Sequence, residues 1–317
     1  MQRGERRPAF SVIVPTHNRI RVLPNCLEHV LRQEYPAESF EVVVVDNGST
    51  DDTETLVAAW KPSAFAVRYV VEPRPGVARA RNTALAATTG SVIAFLDDDV
   101  RPPADWLERL CRPILSRTAD AVAGGVRLAP HLERPWMERT HRTWLADTGY
   151  LDPREPQEMV SANMAIGRHV LARVPAFDPE LGPGALGQGE DALLSWQLLR
   201  AGFQIAPALD VAVEHHFDAS RLQRASFRDA AERRGRTLAY QQHHWEHLTV
   251  PDAGLRVRRA RLRLWLRSLA SPRRAEGMPV WEMDLRERIA FLRQWRIEST
   301  RPRNYERFGL VKQHGER

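Results

Sequence analysis

Four short apolar runs constrain the first hundred positions. They are FSVIVPT (Phe10 to Thr16), EVVVVDN (Glu41 to Asn47), AVRYVVE (Ala66 to Glu72) and SVIAFLDDD (Ser91 to Asp99). β-Branched and apolar residues follow one another in these runs without polar alternation, so the strands must be buried on both faces. Segments of helical pattern separate them. STDDTETLVAAW opens with Ser49 and Asp52 in capping-box spacing, GVARARNTALAATTG follows Pro75-Gly76 and stops at Gly90, and PADWLERLCRPIL places Pro103 near a first turn. This alternation predicts an α/β fold with a mainly parallel sheet covered by helices on both faces.

The second half has a different texture. ADAVAGGVRL (Ala119 to Leu128) reads as a further strand, and residues 130 to 158 as loops with short helices. FDPELGPGALGQGEDALLSWQLLRAG is a Gly-rich loop running into a helix that ends at Gly202, and FQIAPALDVAVEHHF supplies two short strands. From about Ser220 onward the chain reads as helical. The expected organisation is an α/β unit over residues 1–225, with a nucleotide-binding half (1–100) and an acceptor half (101–225), and a helical extension over 226–317.

Three strand ends carry polar residues where an open α/β sheet binds its ligands. The first ends in Pro15, Thr16, Asn18 and Arg19, the second in Asp46 and Asn47, the fourth in Asp97, Asp98 and Asp99. Asn18 or Ser49 alone would be an ordinary cap or turn residue. Three adjacent carboxylates at the end of a buried strand repel one another and require a cation. Mg²⁺ and Mn²⁺ take carboxylate oxygens and are commonly shared with substrate phosphates.

In this order, SVIVPTHNR, VVVVDNGSTDDT, GVARARNTALAATTGSVIAFLDDDV, SANMAIGR and GQGEDALLSWQLLRAG resemble the motifs of family 2 glycosyltransferases, inverting enzymes with the GT-A fold. The resemblance covers roughly residues 8 to 225. It implies a nucleotide-diphosphate sugar donor contacted by Pro15, Thr16, Asn18, Arg19, Asp46, Asn47, Asn82 and one of Arg79 and Arg81. It also implies a D-x-D motif in which Asp97 and Asp99 hold ribose and metal, with Asp98 alongside. A histidine of the VAVEHH segment, His215 in preference to His216, would complete the site for Mn²⁺ or Mg²⁺. In GED, Asp191 would be the general base and Glu190 would orient the acceptor. At a helix N-terminus a carboxylate is favoured in its charged form. Asn163 and Met164 would line the acceptor side. Gly187, Gln188 and Gly189 would let the acceptor approach the backbone, or let the loop move over the donor.

Two other functions compete with this one. A sugar-phosphate nucleotidyltransferase would need a Gly-rich, lysine-containing loop after the first strand, and PTHNRIRV has neither glycine nor lysine. A non-catalytic nucleotide-sugar-binding protein would have no need of the intact D-x-D and GED motifs.

Charge separates the C-terminal part. The net charge is +6, yet Ala253 to Ala275 holds eight arginines and no acid, which leaves 38 basic against 40 acidic residues elsewhere. Basicity confined to one segment argues against a nucleic-acid-binding surface spread over the fold. Leu255, Leu262, Leu266 and Leu269 form a stripe beside Trp265. Residues 255–270 therefore lie on an anionic membrane surface, pack on the catalytic domain with the basic side in water, or bind an anionic acceptor. His243, His244 and His247 read as surface residues. Cys26 and Cys111 read as buried structural thiols, which fits a reducing cytoplasm. With no apolar h-region at the N-terminus, a cytoplasmic location is expected, at the inner membrane surface if the basic helix binds lipid.

Overall fold

The computed structural model describes residues 9–59, 66–155, 157–269 and 274–315. The N-terminal residues 1–8, Trp60, Ala270 and Arg273 lie outside the described residues.

The chain runs β1 (Phe10–Thr16), α1 (Leu23–Leu31), β2 (Phe40–Asp46), α2 (Thr53–Ala59), β3 (Ala66–Val71), α3 (Val77–Ala87), β4 (Val92–Leu96), β5 (Val100–Arg101), α4 (Trp106–Leu115) and β6 (Ala121–Leu128). It continues through α5 (Arg139–Trp144), β7 (Asn163–Gly167), α6 (Glu190–Arg200), β8 (Ile205–His215), α7 (Arg224–His244), α8 (Ala253–Leu269) and α9 (Val280–Glu298). One eight-stranded sheet has the order β3-β2-β1-β4-β7-β6-β8-β5. The first four strands of that order are parallel, while β7 is antiparallel to both β4 and β6. Parallel pairing sets Thr16 of β1 beside Asp46 of β2. The polar ends of β1, β2 and β4 therefore share one edge.

The continuous apolar runs are buried as expected. β1, β2 and β4 have no exposed residue, and their side chains feed two cores, one on each face of the sheet. Cys26 and Cys111 lie in one of these cores as free thiols.

Local signals were less exact. α2 starts at Thr53, whose N–H and hydroxyl both donate to Asp51, while the Ser49 hydroxyl accepts from the Asn18 N–H in the site loop. The expected Ser49–Asp52 capping box does not form, because a long-range partner claims Ser49. Pro103 precedes α4, and its carbonyl accepts from the Trp106 N–H. The two short strands expected in FQIAPALDVAVEHHF are a single strand, β8, with a bulge opposite Gly124 and Gly125. A Cβ on Gly125 would stand 2.2 Å from the Leu209 carbonyl oxygen, so the bulge needs glycine there.

The helical extension shares its core with the rest of the chain. Leu181 and Leu193 cluster with Tyr240, Trp245 and Tyr305. Asp178, buried before the Gly-rich loop, accepts from the hydroxyls of Tyr240 (2.6 Å) and Tyr305 (2.7 Å) and from Lys312 Nζ (2.7 Å). α7 packs along α9, and α8 packs on α9 through Ala253, Val257 and Ala260. His243 and His244 are buried, contrary to the surface reading: α9 covers α7 and sets Glu298 3.0 Å from His244 Nε2. No helix among the described residues is long and apolar enough to cross a membrane.

Candidate active site

The site begins where three strand-end loops are stitched together. Asn18, in the left-handed region at φ 53°, accepts from the Thr50 N–H at 2.7 Å. Asn47 donates to the carbonyls of Glu72 and Arg74 and accepts from the Gly76 N–H at 2.8 Å. These side chains tie the loop after β1 to the loop after β2, and that loop in turn to the one after β3. Asp46 is 4% exposed; its carboxylate accepts from the Ser49 N–H and from the Tyr69 hydroxyl. The sequence reading missed Tyr69, which reaches Asp46 from the neighbouring edge strand.

The three aspartates after β4 diverge. Asp98 turns back to the Thr16 hydroxyl at 2.8 Å. Burial, reinforced by the Asp99 charge, pushes its carboxyl up to about 7. Asp99 faces His215 Nε2 at 3.3 Å and Arg19 at 3.5 Å. Burial would raise its pKa, but the His215 hydrogen bond and the charges of His215, Arg221 and Arg19 hold it at about 2. Asp97 pairs with Arg81 at 3.0 Å. Cys26 lies behind all three, its Sγ 3.4 Å from the Asp97 carbonyl; burial, then the aspartate charges, raise the thiol well above its ordinary range. A cleft of about 250 Å³ opens beside Asp98 and Asp99, lined also by Cys26, His131 and His216.

Arg81 joins the two halves of the site. It is 2% exposed and bonds Asp97 with one arm and Glu190 with the other, at 2.6 Å. Burial and the adjacent Asp191 charge push the Glu190 carboxyl up, against the pull of Arg81. Arg79, two residues earlier and on the other side of α3, donates to the Pro75 carbonyl. Asp191, half-buried at the start of α6, accepts from the Ser161 N–H at 3.0 Å and the Ala192 N–H at 2.9 Å. Those two donors fix the direction of its carboxylate.

Of the histidine pair, His215 turns to Asp99 and His216 to Glu214 at 2.9 Å, as side-chain alternation along a strand requires. His215 Nδ1 lies 3.2 Å from the Leu145 carbonyl oxygen, which orients the ring so that Nε2 faces the Asp99 carboxylate. An imidazole nitrogen beside a carboxylate is a pair of groups that can serve a divalent cation in place of the shared proton. Among the described residues, however, no three histidine, cysteine or acidic side chains are gathered as a metal site. Asp97, expected as the third, is engaged by Arg81. Arg221 Nη1 stands 3.4 Å from His215 Nε2 and is another residue the sequence reading missed, although it ends the HFDASR stretch just downstream.

Several expected residues lie elsewhere. Asn163 is fully buried: its amide donates to the carbonyls of Gly125 and Val211, and its oxygen accepts from Trp106 Nε1. It fills the β8 bulge and has no surface for an acceptor. Met164 is likewise core. Replacing Asn163 with alanine should strand the Trp106 N–H and two carbonyls, lowering stability by about 2–3 kcal/mol in denaturant unfolding with donor affinity intact. Both polar atoms of the Asn82 side chain are taken by the Phe177 backbone. The Gly-rich loop owes its glycines to a neighbour in the same chain. A Cβ on Gly187, at φ 123°, would meet Arg233 of α7 at 2.4 Å. The carbonyls of Gln188 and Gly189 accept from Thr237 and Gln241 of the same helix. Close packing by α7 requires glycine at 187 and 189, while Gly182 and Gly184 lie against Val77 and the Gly76 backbone.

Residues 11–175, about half of the chain, match the family model for glycosyl transferase family 2. The chain belongs to this family. Among relatives of this family 2 glycosyltransferase, AglE of Haloferax volcanii is 37% identical over 120 residues, 38% of this chain and 40% of that one. The aligned stretch thus spans less than half of the relative's length. In fold, the chain is similar to the mannosyltransferase PcManGT of Pyrobaculum calidifontis, solved with GDP-Man and Mn²⁺. The TM-score is 0.57 and the identity 22%, over 93% of this chain and 74% of that one. It is also similar to TarS 1-349 of S. aureus in complex with UDP, at TM-score 0.53 and 17% identity, over 92% and 90% of the two chains. These likenesses establish the GT-A fold.

Proposed function

We propose that this glycosyltransferase moves a sugar from a nucleotide-diphosphate sugar to an acceptor hydroxyl in one displacement with inversion. The observation that carries the proposal is the Asp97–Arg81–Glu190 chain, which couples the strand-end carboxylates to the start of α6, where Asp191 stands. Asp46 and the loop held by Asn18 and Asn47 would receive the nucleotide, with Arg19 near its phosphates. Asp99 and His215 would hold Mn²⁺ or Mg²⁺, joined by Asp97 on its release from Arg81. When bound, the cation would supply positive charge to the departing diphosphate. Mn²⁺ in the PcManGT complex supports this choice.

Asp191 takes the proton from the acceptor hydroxyl. The oxygen then bonds to the anomeric carbon as the bond to the diphosphate oxygen breaks, its electron pair leaving with the diphosphate. No protein nucleophile takes part. Glu190, held by Arg81, orients the acceptor side. Ser161 and Ala192 keep the Asp191 carboxylate aimed.

Thermal melting with UDP-, GDP- and dTDP-sugars tests the donor class. A donor at a hundred times its Kd should raise stability by about 2.7 kcal/mol. The shift should grow with Mn²⁺ and shrink in Asp99→Asn. The absence of a shift with every nucleotide sugar, with or without metal, would refute the proposal.

A further inference from the structure

α8 has two apolar faces, and only one is covered. Ala253, Val257 and Ala260 are buried toward α9. At about 100° per residue, the opposite side carries Leu255, Leu262, Trp265, Leu266 and Leu269. These five are 49%, 56%, 58%, 52% and 68% exposed. Leu262, Trp265, Leu266 and Leu269 adjoin at helical spacing, with Leu255 two turns earlier beyond Arg258 and Arg259, and an exposed apolar patch of this kind on a chain with large buried cores marks a contact surface.

The charge around the stripe identifies the partner. Arg258 and Arg261 flank it on one side, and Arg256, Arg259 and Arg263 on the other. Arg256, Arg259 and Arg263 also line, with Arg288 of α9, Ala260 and Leu285, a cleft of about 140 Å³ with no acidic residue in its wall. The whole of α8 contains no acid. Leucines and a tryptophan flanked by arginines suit the boundary between headgroups and acyl chains, where long basic side chains reach lipid phosphates. A guanidinium fork pairs with phosphate oxygens through two hydrogen bonds. A second copy of the chain fits poorly, because a symmetric contact through the stripe would bring two arginine-rich flanks together.

We propose that α8 docks this glycosyltransferase on an anionic lipid bilayer, with the leucine–tryptophan stripe immersed and the arginine cleft holding lipid phosphates. This surface is independent of the donor and acceptor assignments.

Flotation of the full chain with vesicles tests it. Vesicles of phosphatidylcholine mixed with phosphatidylglycerol should carry the protein upward, more weakly as salt increases, and pure phosphatidylcholine vesicles should not. The pair Arg259→Ser, Arg263→Ser should lower partitioning about thirty-fold. The pair Leu262→Ser, Leu266→Ser should lower it about tenfold or more. Both pairs alter exposed positions and should melt like the parent chain. Equal binding to both vesicle types, or none to either, overturns the proposal. So does light scattering that shows a dimer dissolved by the leucine pair, since the stripe would then cover a second copy.

Discussion

Replacing Asp191 with asparagine should lower turnover by about 10²–10⁴-fold and leave donor affinity near the parent value. The amide is nearly the same shape as the carboxylate but cannot take the acceptor proton. Both carboxylate oxygens accept backbone N–H groups, from Ser161 and Ala192, whereas asparagine offers one oxygen. One hydrogen bond is therefore lost as well, costing about 1 kcal/mol of stability. Calorimetry should find the donor bound as before, and single-turnover transfer should be nearly absent. Turnover within a few-fold of the parent enzyme would exclude Asp191 as the base. Equal losses in donor binding and turnover would make it a positioning residue.

The second large effect is expected far from the chemistry. Asp178→Ala should destabilise the fold by about 3–5 kcal/mol. The side chain is buried and neutralises Lys312, itself only 8% exposed, while accepting from two tyrosine hydroxyls. Removing it leaves an ammonium and two hydroxyls buried with fewer partners. Lys312 keeps Glu180 at 2.7 Å, which argues for the lower end of the range. Because Tyr240 lies on α7 and Tyr305 and Lys312 beyond α9, the variant should also loosen the C-terminal segment. Denaturant unfolding measures the loss, and proteolysis should cleave the C-terminal segment first. A variant as stable as the parent would show that these contacts are exchangeable with water.

The strand-end residues were legible because two local rules place them. Continuous valine and isoleucine runs demand a sheet buried on both faces, and parallel strands put their carboxyl ends on one edge. Thr16, Asp46 and the Asp97–Asp99 run follow from that alone. Strand alternation puts His215 and His216 on opposite sides, but which of them faces Asp99 is decided by the register of β8 beside β5. Asn163 was not legible. Its short motif suggests a site residue, but the β8 bulge consumes its amide, and that bulge depends on a strand 48 residues further along. The packing of α7 against Gly187 and Gly189 was not legible either, because it brings in a helix more than 40 residues further along.

What the sequence determined by itself was the parallel half of the sheet, its polar edge and the family, because each rests on residue order and short-range periodicity, whereas the antiparallel β7 was not read from it. What only the tertiary structure decided was the pairing of charges. Arg81 lies 109 positions from Glu190, and no spacing rule says that one guanidinium serves both Asp97 and Glu190. The same holds for α8. Its sequence left three readings open: packing, lipid or an anionic acceptor. Packing on α9 uses Val257 and Ala260 and leaves the leucine stripe outward, because a helix can bury only the side its neighbour reaches.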